Sequence, residues 1–179
     1  MDDPELIELL DEEHAADRGA ARDRERALRH VAEDGASLGG ALLDLAEQGT
    51  PVTVRTRSGR THHGSLVGVG DDFCVLQAAR GSLTYLATDT VTTVRPQPGE
   101  RHPVATGDRK APRDLRLVEL LASALAERPR LALVLSGGEV VAGELRAVGT
   151  DVVTLRLDGD PRALCYVSAG NIAEATVGG

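Results

Sequence analysis

The chain has 179 residues, of which 41% are hydrophobic and 2% aromatic, and its formal net charge is −8. The hydrophobic share is enough for ordinary globular cores and excludes wholesale disorder. The acidic total argues against a duplex-DNA binder, which normally presents a basic face, and the few aromatic rings leave little surface for stacking single-stranded bases.

No apolar segment approaches the roughly 20 residues that span a bilayer. The N-terminus is acidic, whereas a signal peptide would begin with basic residues. We therefore expect a cytoplasmic protein with no membrane partner.

The first 36 residues are dense in charge, with twelve acidic residues against five arginines. The segment ELIELL is amphipathic, and Glu25 and Arg29 form an i,i+4 pair in the favourable orientation. We predict a charged helical arm over residues 1–36, with Leu6 and Leu10 as interface residues. A frayed tail is the alternative.

Residues 37–95 are predicted to form a first unit, a helix followed by five short strands. The segment LGGALLDLAEQG, from Leu38, has apolar residues at helical spacing. Gly64 and Gly68 interrupt the second strand, where a glycine marks a bend or a close backbone approach. The predicted strands are Val52–Arg57, Thr61–Val69, Phe73–Ala78, Ser82–Ala87 and Val91–Arg95.

Residues 96–113 are rich in proline and glycine and carry the only lysine, Lys110, so we predict a mildly basic linker. Residues 114–179 then repeat the first unit at a spacing of 79 positions, which becomes 81 after a two-residue insertion. Register held through a helix and several strands indicates a true internal repeat. The second set of predicted strands is Leu131–Leu135, Val140–Val148, Val152–Leu157, Ala163–Val167 and Ile172–Val177.

A helix followed by five short, bent strands, with a glycine in the second strand, resembles the plan of the Sm-like proteins. The segments VTVRTRSGRTHHGSL and LALVLSGGEVVAGEL carry the resemblance. They match the first Sm motif at three pairs of positions, Gly59/Gly138, Gly64/Gly143 and Leu66/Leu145. The resemblance implies a mainly β fold with two small Sm-like or SH3-like β-barrels, each preceded by an α-helix, and ring-like or edge-to-edge assembly.

The residues that bind RNA in the Sm family are not matched. RNA-binding members carry Asp and Asn around the turn into strand three and an Arg-Gly pair between strands four and five. The corresponding positions here are Gly70 and Cys74, Gly149 and Val153, Ala87-Thr88 and Ser168-Ala169. The resemblance therefore implies the fold without the family's uridine pocket.

Arg55, Arg57 and Arg60 are the candidate nucleic-acid-binding residues, because the first unit presents them together and the second does not. A solvated strand face is the commoner explanation of such residues. In the second unit, Ala132 and Val134 leave the outer face of the first strand apolar. We expect that face to pack against the first unit, a helix or another subunit.

Other polar residues favour structural roles. His62 and His63 are adjacent in a strand and point to opposite faces, with His62 directed to the barrel. Asp72 and Asp151 are expected to cap turns, and Cys74 and Cys165 to be buried, reduced thiols. No motif predicts a catalytic, metal or cofactor site or a small-molecule substrate.

The leading hypothesis is a non-enzymatic tandem Sm-like binding or assembly module that contacts the RNA backbone weakly through its first unit. The alternative is a protein–protein interaction scaffold or oligomerisation module with no role in nucleic-acid binding. The partners considered are thus RNA, another protein, or further copies of the chain.

Overall fold

A computed structural model describes residues 21–99, 109, 114–159 and 163–178. Its first part contains helix α1 (residues 21–34), helix α2 (Leu38–Gln48) and strands β1 (Pro51–Thr56), β2 (Thr61–Val69), β3 (Phe73–Gln77), β4 (Leu83–Ala87) and β5 (Val91–Pro96). The second part contains helix α3 (Leu117–Ser123) and strands β6 (Arg130–Leu135), β7 (Val140–Val148), β8 (Val152–Leu157), β9 (Leu164–Ser168) and β10 (Ile172–Gly178). Every predicted strand is confirmed to within one residue at either end.

The ten strands form one antiparallel sheet, in the order β5-β1-β2-β3-β4-β10-β6-β7-β8-β9. The prediction of two separate small barrels is therefore wrong. We call α2 to β5 repeat 1 and α3 to β10 repeat 2. Strand β4 of repeat 1 pairs with β10 of repeat 2, so the sheet continues from one repeat into the other and remains open.

The prediction failed because side-chain periodicity does not reveal which strand will pair with an edge. An edge strand has unpaired N–H and C=O groups that any suitable neighbour can bind. Here β4 and β10 pair across the repeats, with Tyr85 opposite Ala175 and Leu86 opposite Glu174. The pattern within one repeat would be the same whether its edges closed on each other or on a neighbouring repeat.

Both repeats nevertheless share one internal strand order and the same irregularities. The β2–β3 register shifts between Leu66 and Gly68, and the β7–β8 register shifts at the corresponding place. A Cβ atom at Gly64 would overlap the carbonyl oxygen of Gln77, and one at Gly143 would overlap that of Arg156. Both second strands therefore need glycine here, which explains why this residue recurs.

The buried hydrophobic residues of the described ranges form two clusters, and the second includes residues of both repeats. The first cluster packs α2 against the strands of repeat 1, with Leu42, Leu66 and Leu86 fully buried. The second cluster lies under α3 in repeat 2 but includes Phe73 and the partly buried Tyr85 of repeat 1. The core of repeat 2 is therefore completed by side chains of repeat 1.

Helix α1 lies away from both clusters. Almost all its side chains are exposed, including Leu28 and Val31. The predicted Glu25–Arg29 pair is confirmed, with Arg29 Nη2 lying 3.3 Å from Glu25 Oε1. The predicted interface residues Leu6 and Leu10 lie outside the described residues. No helix in the described ranges is long and apolar enough to cross a bilayer.

The two cysteines are both unbonded thiols, as predicted, but their environments differ. Cys74 is fully buried in β3, and burial raises the pKa of its thiol to about 12. Cys165, in β9, is only partly buried, so the prediction of a buried thiol is wrong there. It lies in the strand at one end of the sheet that the described residues form.

Candidate interaction surfaces

The junction between the repeats combines strand pairing with aromatic packing. Residues Glu174, Ala175 and Thr176 of β10 pair with β4. On one face of this pairing, Phe73 and Tyr85 pack against the core of repeat 2, with ring centroids 6.3 Å apart and ring planes inclined by 57°. Such tilted aromatic pairs add to the stabilisation from burial.

The start of helix α3 also docks on repeat 1. The amide of Leu117 donates to Asp72 Oδ1 at 2.7 Å, and Arg116 Nε lies 3.3 Å from Asp72 Oδ2. Asp71 N–H donates to the carbonyl oxygen of Leu115 at 2.9 Å. The first amides of a helix lack acceptors within the helix, so Asp72 supplies one. Asp72 was predicted to cap its own turn, whereas the structure shows its carboxylate capping the first turn of the helix in the other repeat.

Glu174 is the least expected residue of the junction, because it is 2% exposed and carries a carboxylate. It belongs to repeat 2, but all of its side-chain partners in the described residues belong to repeat 1. Thr56 Oγ1 donates to Glu174 Oε1 at 2.8 Å and Ser58 Oγ donates to the same atom at 3.0 Å. Arg60 Nε lies 3.8 Å from Oε2. These residues and His62 are called the Glu174 cluster below.

His62 completes the cluster from the inner side of β2. Its Nε2 atom lies 3.1 Å from Glu174 Oε1, although it is not aligned for a regular hydrogen bond, and it has no other partner in the described residues. Burial by itself raises the pKa of Glu174, but the contacts with His62, Thr56 and Ser58 outweigh burial and hold the pKa below its ordinary value of 4.5. The carboxylate is thus kept ionised inside the junction.

Among the described residues strand β9 pairs only with β8 and so forms one free end of the sheet. Leu157 N–H donates to the Ala163 carbonyl, and Ala169 N–H donates to the Asp151 carbonyl. Because hydrogen bonding alternates along an antiparallel strand, the N–H and C=O of Tyr166 point away from β8. The side chain of Tyr166 is 70% exposed and that of Leu164 is 51% exposed. This edge has neither the lysine nor the proline that often prevents edge pairing.

Strand β5 forms the other free end, since β1 is its one partner strand in the part of the chain that the structure describes. Gln97 N–H donates to the Pro51 carbonyl at 3.0 Å, so the same alternation directs the N–H and C=O of Val94 away from β1. Thr93, beside it, is exposed and occupies the place that Glu174 has in repeat 2. Pro96, at the strand end, offers no N–H.

The three candidate arginines lie close together in sequence but have different surroundings. Arg60 is directed to Glu174. Arg57 Nη2 donates to the Asp89 carbonyl at 2.9 Å. Arg55 is exposed on β1. Two of the three therefore make contacts within the protein, which reduces the positive surface available to a phosphate backbone.

The other predicted residues are distributed over the sheet. Val134 is buried and pairs with Glu174 across β6 and β10, so its side chain is on the face directed to repeat 1, and Ala132 is half-buried two positions away. His63 Nδ1 lies 3.0 Å from Thr53 Oγ1, on the opposite face from His62. Asp151 has no side-chain partner in the described residues, unlike Asp72.

Sequence reasoning missed Glu174, although one signal was present. The segment Ile172–Ala175 is apolar except for this acid, and three of its four residues are hydrophobic core residues. A charged residue within such a run must find partners, since a buried unpaired carboxylate is very costly. Those partners come from residues more than a hundred positions earlier, which no local pattern indicates.

Comparison with known proteins finds no matching protein-family model and no matching curated protein. The resemblance to Sm-like proteins accordingly stays a prediction.

Proposed function

We propose that this protein is a non-enzymatic assembly module whose copies join edge to edge, strand β9 of one copy pairing with strand β5 of the next. The β4–β10 junction within the chain carries this proposal. In it the fourth strand of one repeat pairs with the fifth strand of the other. The two free edges, β9 and β5, are the fourth strand of repeat 2 and the fifth strand of repeat 1.

The backbone groups of the two free edges point in the directions that this pairing requires. Tyr85 and Ala175 are opposite each other in the internal junction. Tyr166 corresponds to Tyr85, and Val94 corresponds to Ala175. Since the N–H and C=O groups of Tyr166 and Val94 point outward, the same register would place these two residues opposite each other between copies. Pro96 corresponds to Val177, at the end of the paired segment, so its missing N–H removes one hydrogen bond from the end of this pairing and leaves those of Val94 in place.

The side chains at the free edges also correspond to those of the junction. Tyr166 would cover the second copy as Tyr85 covers repeat 2. Asp151, which corresponds to Asp72, would accept from the amide of Leu38 at the start of α2, as Asp72 accepts from Leu117. Leu38 is 44% exposed and is the first residue of its helix, as Leu117 is of α3.

This kind of contact joins two different surfaces and leaves one of each free. Such heterologous contacts continue until they close into a ring or extend as a filament. The proposed module therefore forms closed rings or filaments of its copies.

RNA binding through Arg55, Arg57 and Arg60 is the competing function. It has less support, because Arg57 and Arg60 make contacts within the protein and the chain carries a net charge of −8. Phosphate contacts give affinity that falls steeply with salt, and an acidic chain with few free arginines gains little from them.

The test blocks each edge separately in the full chain. Tyr166→Pro and Val94→Pro each remove one outward N–H without removing a hydrogen bond to the neighbouring strand. Light scattering should give a mass of several chains for the wild type and one chain for each variant. Mixed in equal amounts, the two variants should form a complex of two chains, because each retains the edge that the other lacks.

The control is Tyr166→Thr, which keeps the N–H and should weaken assembly without abolishing it. A monomeric wild type would contradict the proposal, as would self-association of either proline variant alone. Loss of the assembly after nuclease treatment, or in Arg55→Ala/Arg57→Ala but not in Tyr166→Pro, would favour RNA binding.

A further inference from the structure

The Glu174 cluster is confined to the junction within the chain, and its members come from both repeats. The carboxylate of repeat 2 is buried against two hydroxyl groups, an imidazole and a guanidinium of repeat 1. Removing a carboxylate from water is tolerated only where such partners replace the lost hydration. Strand β10 therefore fits a surface that supplies them.

The corresponding surface of repeat 2 supplies none of them. In place of Thr56, Ser58, Arg60 and His62 it has Leu135, Gly137, Glu139 and Val141, which we call the repeat 2 wall. Val141 is buried and Leu135 is partly buried against the core of repeat 2. A carboxylate placed against this wall would meet apolar side chains and a second acidic residue.

In β5, the strand that would reach the repeat 2 wall, the residue that corresponds to Glu174 is uncharged. Strand β5 carries Thr93 where β10 carries Glu174. Threonine is uncharged and small, so it can lie beside Leu135 and Val141 without bringing a buried charge. Glu174 thus suits the surface of repeat 1 that β10 meets, and Thr93 suits the repeat 2 wall that β5 would meet.

We infer that the Glu174 cluster and the Thr93–repeat 2 wall pair act as a recognition code that decides which strand edges join. The code favours β10 on β4 and β5 on β9. It disfavours β10 on β9, which would bury Glu174 without partners and near Glu139. It also disfavours β5 on β4, which would leave the hydroxyl groups and His62 Nε2 of repeat 1 without the carboxylate.

The half of this inference that concerns β10 can be measured within a single chain. The half that concerns β5 rests on the proposed assembly. The experiment therefore has two separate readouts, the folding equilibrium of the monomer and the association of copies.

The first readout is a double-mutant cycle on unfolding by urea, with Glu174→Thr, His62→Val and the double variant, each introducing the residue of the other repeat. We expect Glu174→Thr alone to lower the folding equilibrium constant by about 100-fold, since breaking a buried charged pair leaves the partners unsatisfied. The double variant should recover at least about tenfold of that loss. Glu174→Gln, which keeps the shape of the side chain, covers the case in which Glu174→Thr does not fold. Losses that simply add would overturn the inference.

The second readout is the association constant between copies. Thr93→Glu should leave unfolding of the monomer unchanged, because Thr93 is exposed, and should weaken association by at least about tenfold. Adding Glu139→Arg, which restores the cation found in repeat 1, should recover it. Unimpaired association of Thr93→Glu would overturn the code while leaving the assembly function intact. If the wild type never associates but the energies of Glu174 and His62 are coupled, the proposed assembly is overturned, whereas the recognition of β10 by repeat 1 is supported.

Discussion

The β4–β10 junction and the free β9 edge are built from corresponding residues in different surroundings. Tyr85 packs on Phe73 and on the core of repeat 2, whereas Tyr166 is 70% exposed. Asp72 caps helix α3, whereas Asp151 caps nothing in the described residues. The two repeats therefore retain the same edge residues, and the neighbouring strand decides whether those residues are buried.

The largest difference between the two edges should come from their tyrosines. Tyr85→Ala removes a ring packed across the junction and should lower the free energy of unfolding by about 2 to 4 kcal/mol. Tyr166→Ala should change it by less than about 0.5 kcal/mol in the monomer, since the side chain is exposed. Urea unfolding at concentrations where light scattering shows single chains gives both values. Equal losses would mean that the two edges do not differ in the way the structure indicates.

Substitution of the two aspartates should also destabilise the monomer unequally, by less than substitution of the tyrosines. Asp72→Ala removes the acceptor of the Leu117 amide and should lower the free energy of unfolding by about 0.5 to 2 kcal/mol, the usual range for loss of a helix cap. Asp151→Ala is the matched control and should leave the stability of the monomer unchanged. Thermal unfolding of the dilute proteins measures both. A loss in Asp151→Ala as large as that in Asp72→Ala would show a cap in repeat 2 as well.

The smallest effect expected is a pH dependence confined to the closed junction. The folded state holds the pKa of Glu174 below 4.5, so the unfolded state binds more protons as the pH falls. The stabilisation is therefore fully present above about pH 4.5 and is lost as the pH falls through the lowered pKa. The stability difference between wild type and Glu174→Gln should narrow on acidification below pH 4.5. A difference that stays constant from pH 7 to pH 3 would contradict this assignment.

Local structure could be predicted from the sequence because it depends on neighbouring residues. Alternation of apolar residues located all ten strands, and the recurrence of Gly64 as Gly143 fixed the register of the repeats. The physical reason for these glycines, the close approach of the carbonyls of Gln77 and Arg156, became visible only in the structure.

Contacts between the repeats could not be predicted in the same way. The pairing of β4 with β10 uses backbone groups that every strand possesses, and the side chains that meet at this junction, such as Glu174 and Thr56, lie more than a hundred positions apart in the sequence. Arg60 was interpreted as an RNA contact because its partner, Glu174, lies in the last strand of the sequence. Interactions between distant segments need a three-dimensional arrangement before their electrostatics can be judged.

The order of synthesis gives the β4–β10 pairing a consequence for the newly made chain. Leu86 and Glu174 are paired although 88 positions separate them. At about 5 to 20 residues per second, roughly 4 to 18 s pass between the synthesis of these two residues. During that interval Phe73 and Tyr85 have no repeat 2 core to cover them, and β4 has an unpaired edge. Neighbouring chains on one polysome would then compete with β10 for β4, so slower translation of the second repeat should increase exchange of strands between nascent chains.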